Sequence, residues 1–135
     1  MQARADKHFN KAADFAKLGD LEKAIALFDK ALTLEPGNDM LWVLRGTILD
    51  DLGRYSESLD SYDKALDIKQ DYAVAWYSRG VVLHKLGRYA EAVTSLDRAL
   101  ALNPNYADAK KRREQAVRER DNGTHNNGIS HHTTG

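Results

Sequence analysis

The chain has 135 residues, 42% of them apolar and 30% charged, which fits one ordinary helical domain and argues against wholesale disorder. Lysine plus arginine balances aspartate plus glutamate at 20 each, so no long-range field selects nucleic acid or an anionic membrane. The chain has no cysteine, its opening MQARADKHFNKAAD lacks the apolar core of a signal peptide, and no run approaches the about 18 apolar residues of a membrane span, so a cytoplasmic location is expected.

In chain order, Leu18-Gly19, Leu52-Gly53 and Leu86-Gly87 recur at a spacing of 34, each opening a near-copy of one segment: LGDLEKAIALFDKAL, LGRYSESLDSYDKAL, LGRYAEAVTSLDRAL. A fixed period of this length means one supersecondary unit stacked on copies of itself. The first unit spans 5–38, with Gly19 ending one helix and Pro36 closing a second. In the second unit, 39–72, helical apolar spacing predicts helices over 39–52 and 55–69, with Gly53 between them. Gln70 stands there in place of proline, and Asp71 is expected to cap the next helix. The third unit, 73–106, repeats the plan with Gly87 and Pro104. The glycines suit the left-handed residue that ends a helix, and the prolines push the residue before them out of helical geometry.

Residues 107–121 read as a charged capping helix, with Ala109, Ala116 and Val117 inward and Lys110, Lys111, Arg112, Arg113, Arg118 and Arg120 facing water. The polar segment 122–135 reads as a disordered tail after a single domain over 1–121. Two helices joined by a turn meet at small residues: Ala12, Gly46 and Gly80 on the first, Ala24, Ser58 and Ala92 on the second. Glycine inside a helix costs about 1 kcal/mol against alanine, so Gly46 and Gly80 mark contacts a methyl group would violate. Ala31, Ala65 and Ala99 are read as the crossing points of the next unit's first helix.

On these residues the chain resembles the tetratricopeptide repeat, a 34-residue helix-turn-helix whose signature is W-x2-L-G-x2-Y, then A-x3-F, then A, then P. The second repeat reads Trp42, Arg45, Gly46, Leu49, Gly53, Tyr55, Ser58, Tyr62, Ala65, and the third Trp76, Arg79, Gly80, Leu83, Gly87, Tyr89, Ala92, Leu96, Ala99, Pro104. The first is looser, with His8 for tryptophan, Ala12 for glycine and Leu21 for tyrosine. The resemblance implies an all-α, right-handed superhelical solenoid of stacked antiparallel helix pairs, about seven helices in all.

It also implies a concave surface lined by the first helices, at Asp6, Phe9, Asn10, Ala13, Ala16 and Lys17, at Met40, Val43, Leu44, Thr47, Asp50 and Asp51, and at Val74, Tyr77, Ser78, Val81, His84 and Lys85. The apolar members among these point to a non-catalytic scaffold that binds an apolar or amphipathic protein segment. The partner's acidic end is expected near His84, Lys85 and Lys111. Co-chaperone members of the family hold a peptide's terminal carboxylate with lysine, asparagine and arginine at positions that here are Phe9, Ala13, Leu44, Val74 and Ser78, so that clamp is absent. The alternatives are a homo-oligomer assembled through the same strip, or the repeat segment of a larger protein.

No catalytic motif occurs, and neighbouring carboxylates such as Asp50 and Asp51 diverge around their helix; no enzyme activity and no cofactor are expected. His125, His131 and His132 fall in the tail expected to be disordered, which offers no preformed metal geometry and no supporting shell of partners. The run Lys110 to Arg113 is interleaved downstream with Glu114, Glu119 and Asp121, which argues for a solvated face over a nucleic-acid surface.

Overall fold

The computed structural model describes residues 2–129, with side chains for residues 4–123. Among them are seven helices and no strand: α1 (Gln2–Lys17), α2 (Leu21–Leu34), α3 (Asp39–Asp51), α4 (Tyr55–Ile68), α5 (Ala73–Lys85), α6 (Tyr89–Leu102) and α7 (Ala107–Ile129). Short turns make hairpins of α1 with α2, α3 with α4 and α5 with α6. The second helix of each hairpin packs on the first helix that follows, and the result is an all-α solenoid.

Each turn inside a hairpin is closed the same way. Gly19, Gly53 and Gly87 take φ of 81°, 77° and 76°. Around Gly53, its own amide donates to the Asp50 carbonyl and the Arg54 amide donates to the Leu49 carbonyl, both at 2.9 Å. This pair of hydrogen bonds satisfies carbonyls that the end of α3 would otherwise leave open.

Within hairpins the helices touch where the small residues predict. A Cβ built on Gly46 would lie 2.7 Å from Cε1 of Tyr62, and one on Gly80 2.7 Å from Cγ of Leu96. Ser58 donates its hydroxyl to the Gly46 carbonyl at 2.7 Å, a contact that a wider helix spacing would break. Ala31, Ala65 and Ala99 are completely buried, as crossing points must be.

Between hairpins a polar ladder recurs with the repeat. Arg45 donates from Nε to Asp29 and from Nη1 to the Ser61 hydroxyl, both at 2.7 Å. Arg79 makes the same pair with Asp63 at 2.8 Å and Ser95 at 2.7 Å, and Arg113 continues the series to Asp97. Each arginine thereby ties three successive helices, or in the last case α7 to α6. Trp42 Nε1 donates to the Pro36 carbonyl and Trp76 Nε1 to the Gln70 carbonyl, each at 2.8 Å. The carbonyl, which any residue supplies, is the partner, and this explains why Gln70 can stand in for proline.

Two expectations need correction. Asp71 does not cap α5; Tyr72 occupies that position, without a side-chain cap bond. The capping helix also does not end near 121. One period beyond Gly87 lies Asp121, so the left-handed stop is missing; Gly123 keeps a negative φ, and the backbone stays helical to Ile129. The rest of the expected tail, 130–135, lies outside the described residues.

Candidate groove

The groove is built by the stripe of α1, α3 and α5 that their own hairpin partners leave uncovered, and by the matching stripe of α7. Stepping by one period aligns Phe9, Val43, Tyr77 and Lys111, and likewise Asn10, Leu44, Ser78 and Arg112. α7 is therefore a fourth wall of the same surface. At one end Phe9, Ala13 and Ala16 of α1 face Leu44, Thr47 and Ile48 of α3 over the ring of Phe28. They enclose an apolar cavity of about 230 Å³. Thr47 donates its hydroxyl to the Val43 carbonyl at 3.0 Å, so at 3.2 Å it accepts from the Tyr62 phenol. Burial pushes the Tyr62 phenol above the usual range, which keeps it a donor.

In the middle, Lys85 pairs with Asp50 at 2.8 Å and lies 6.0 Å over the Tyr55 ring. Lys85, expected to receive the partner's acidic end, is thus paired within the chain, between α5 and α3. At the far end Tyr77, Asp108, Lys111, Arg112 and Gln115 line a second cavity of about 230 Å³, polar where the first is apolar. Tyr77 stacks on Tyr106 with ring centroids 4.9 Å apart.

Not every expected groove residue faces the groove. Phe9, Ala13, Leu44, Tyr77 and Ser78 are half-buried, and Asn10, Met40, Thr47, Val74 and Lys85 are exposed. Val43, Val81 and His84 are only 6%, 9% and 8% exposed, so they belong to the packing behind the wall. A first helix in a stacked repeat is covered by its own partner and by both neighbours, which leaves a narrower open stripe than its apolar sequence suggests.

His84 is bound on both ring nitrogens. A guanidinium can only donate, so Arg112 Nη1 gives its hydrogen to Nδ1 at 3.2 Å, and Nε2–H donates to Glu119 at 2.7 Å. Arg112 and Arg113, read from sequence as facing water, are thus tied to other helices, Arg112 to the buried His84 and Arg113 to Asp97 at the surface. The signal that locates them is the period itself, which puts Arg113 in step with Arg45 and Arg79, and Arg112 in step with Leu44 and Ser78.

Among the described residues no cluster of three or more histidine, aspartate or glutamate side chains could hold a metal ion. The side chain of His125, and all of His131 and His132, lie outside them. No described helix is long and apolar enough to cross a membrane.

Comparison with known proteins agrees with this architecture. The family model described as tetratricopeptide repeat matches residues 5–38 and 73–106, and one described as TPR repeat matches 46–87. The chain belongs to the tetratricopeptide repeat family, whose fold is that of a protein-interaction scaffold.

The uncharacterized protein MJ0572 of Methanocaldococcus jannaschii is 34% identical over 55 residues, which cover 41% of this chain and 64% of that relative. The TPR domain of Arabidopsis OM64 superposes with a TM-score of 0.81 at 23% identity, covering 85% of this chain and 95% of that one. The first TPR of Spaghetti (RPAP3), bound to the HSP90 peptide SRMEEVD, gives 0.84 at 22% identity over 87% and 94%. The Sgt2 TPR domain of Aspergillus fumigatus gives 0.84 at 19% over 90% and 82%.

Proposed function

We propose that this protein is a non-catalytic scaffold that binds a peptide segment or helix of another protein along the concave groove. The observation that carries the reading is the apolar cavity between α1 and α3, open to the groove and lined by Phe9, Ala13, Ala16, Phe28, Leu44, Thr47 and Ile48. A leucine- or phenylalanine-sized side chain buried there would contribute about 1.5 to 3 kcal/mol. The flanking polar groups would set register and direction.

One fold neighbour, the RPAP3 domain, holds the peptide SRMEEVD. Peptide binding by this chain needs different contacts for a terminal carboxylate, because its clamp positions carry Phe9, Ala13, Leu44, Val74 and Ser78.

The test compares proteins captured from source-cell lysate by wild type, Ala13→Phe and Thr47→Arg. Ala13→Phe fills the cavity with an apolar group and Thr47→Arg places a charge at its exposed rim; Val43→Glu would bury a carboxylate and unfold the protein. Partners retained by wild type and lost by both folded variants support the reading. Identical retention by all three overturns it. Light scattering across a concentration range shows whether the lost partner is a second copy of this chain.

A further inference from the structure

We propose that the α5–α7 end of the groove is an anion-receiving site. The bound segment is amphipathic: an apolar side chain seats between α1 and α3, and an internal acidic side chain is received by Arg112 and Lys111. This rests on the groove reading above and adds the chemistry and direction of its occupant.

Four observations carry it. Arg112 and Lys111 fall in step with Leu44, Ser78, Val43 and Tyr77, so the last helix brings cations to the wall that the first helices line with neutral groups. Neither cation lies within 4.0 Å of a carboxylate among the described residues, whereas Lys85, Arg113 and Arg120 are all paired. Asp108 lines the same cavity but is beyond ion-pair distance, leaving two cations against one carboxylate.

Arg112 is also held in place. His84, itself 8% exposed, accepts from it on Nδ1 and is anchored through Nε2 to Glu119. That contact uses one of five guanidinium hydrogens and leaves the rest for a bidentate acceptor such as a carboxylate. Restraining the side chain before binding lowers the entropy lost on binding. Finally, the Asp50–Lys85 pair cancels the charge in the middle of the groove, so its polarity runs from apolar at α1 to cationic at α7. An internal acid fits better than a chain terminus because the positions that would clamp a terminal carboxylate carry Phe9, Ala13, Leu44, Val74 and Ser78.

The experiment is selection from a random peptide library displayed with constant flanking sequence at both ends, so that no free terminus is presented. Wild type, Lys111→Gln/Arg112→Gln and Thr47→Arg are panned in parallel, with helicity checked by circular dichroism and Lys111→Gln alone replacing the double variant if that one unfolds. Wild type is expected to enrich a large apolar residue together with glutamate or aspartate, and the cation variant the apolar residue alone. For a peptide synthesised from the wild-type consensus, acid-to-amide exchange should weaken wild-type binding about tenfold to a hundredfold and barely change binding to the variant. Apolar enrichment without acid in wild type overturns the anion site and leaves the groove standing. Absence of any enrichment, or enrichment that Thr47→Arg does not disturb, overturns both.

Discussion

Gly46→Ala isolates what holds the second hairpin together. In an exposed helix the exchange would stabilise by about 1 kcal/mol through propensity alone. Here the added methyl would meet the Tyr62 ring at 2.7 Å from Cε1, 2.9 Å from Cδ1 and 3.0 Å from Cζ, all closer than carbon atoms can pack. The ring is 1% exposed and its hydroxyl is bonded to Thr47, so it cannot swing away freely. Spreading the helices would stretch the 2.7 Å bond from Ser58 to the Gly46 carbonyl and disturb Arg45, which joins α3 to Ser61. Overpacking of this kind costs about 1 to 3 kcal/mol.

Set against the propensity gain, the net expectation is a loss of up to about 2 kcal/mol, or as much as several degrees in Tm. The first hairpin supplies an internal control, since Ala12 there faces Phe28 in the same register with both residues buried. Gly53→Ala is the external control: nothing lies within 4 Å of its added methyl, so its cost is conformational, and Gly53→Asn should recover part of it. Urea melts of the three variants read out the difference. A Gly46→Ala protein more stable than wild type would refute the packing argument.

Gln70→Pro should stabilise by about 0.4 to 1 kcal/mol. Lys69 already has φ −137° and ψ 96°, close to the −139° and 89° of Asn103 before Pro104, and a calorimetric Tm at or below wild type would contradict this. Arg79→Met should cost about 1 to 3 kcal/mol, because it leaves the fully buried Ser95 hydroxyl without its partner, and Arg79→Lys should recover little since an ammonium cannot reproduce the fork. At alkaline pH the buried phenol of Tyr62 and the partly buried phenols of Tyr72 and Tyr106 are all held above the usual range by desolvation. Because the folded state keeps these protons longer, the stability they contribute is full below about pH 10 and declines as pH rises through the folded values. An ultraviolet tyrosine titration should show Tyr62→Phe removing a late-titrating phenol; unchanged late absorbance would count against that assignment.

Much of the scaffold is legible in the residues because a repeat states each constraint three times. Gly19, Gly53 and Gly87 locate the turns, Ala31, Ala65 and Ala99 the crossings, and Gly46 and Gly80 the closest approaches, each through a requirement no larger side chain meets. The groove is less legible. Val43 and Val81 have the same apolar character as Leu44 and differ only in which neighbour covers them, a property of how hairpins stack rather than of any one helix. His84 looks like a surface group until Arg112 and Glu119 arrive from a helix 28 and 35 residues away. Arg112 and Arg113 were hidden by composition: among so many charges, their phase with the preceding repeats is easily passed over. The extent of α7 depends on a missing glycine at Asp121, and an absent stop is a weaker signal than a present one.

The phase that brings α7 into line with α1, α3 and α5 also bears on growth of the stack. A solenoid grows by laying a further helix across the small residue on its last exposed helix, as α4 crosses Gly46 and α6 crosses Gly80. The next position in that series is Glu114, which is exposed. Laying another helix there in the same manner would trap a carboxylate at a step that holds only alanine or glycine in the three hairpins. A glutamate at this step therefore favours leaving that side of α7 to solvent over stacking a further second-type helix on it in the same manner.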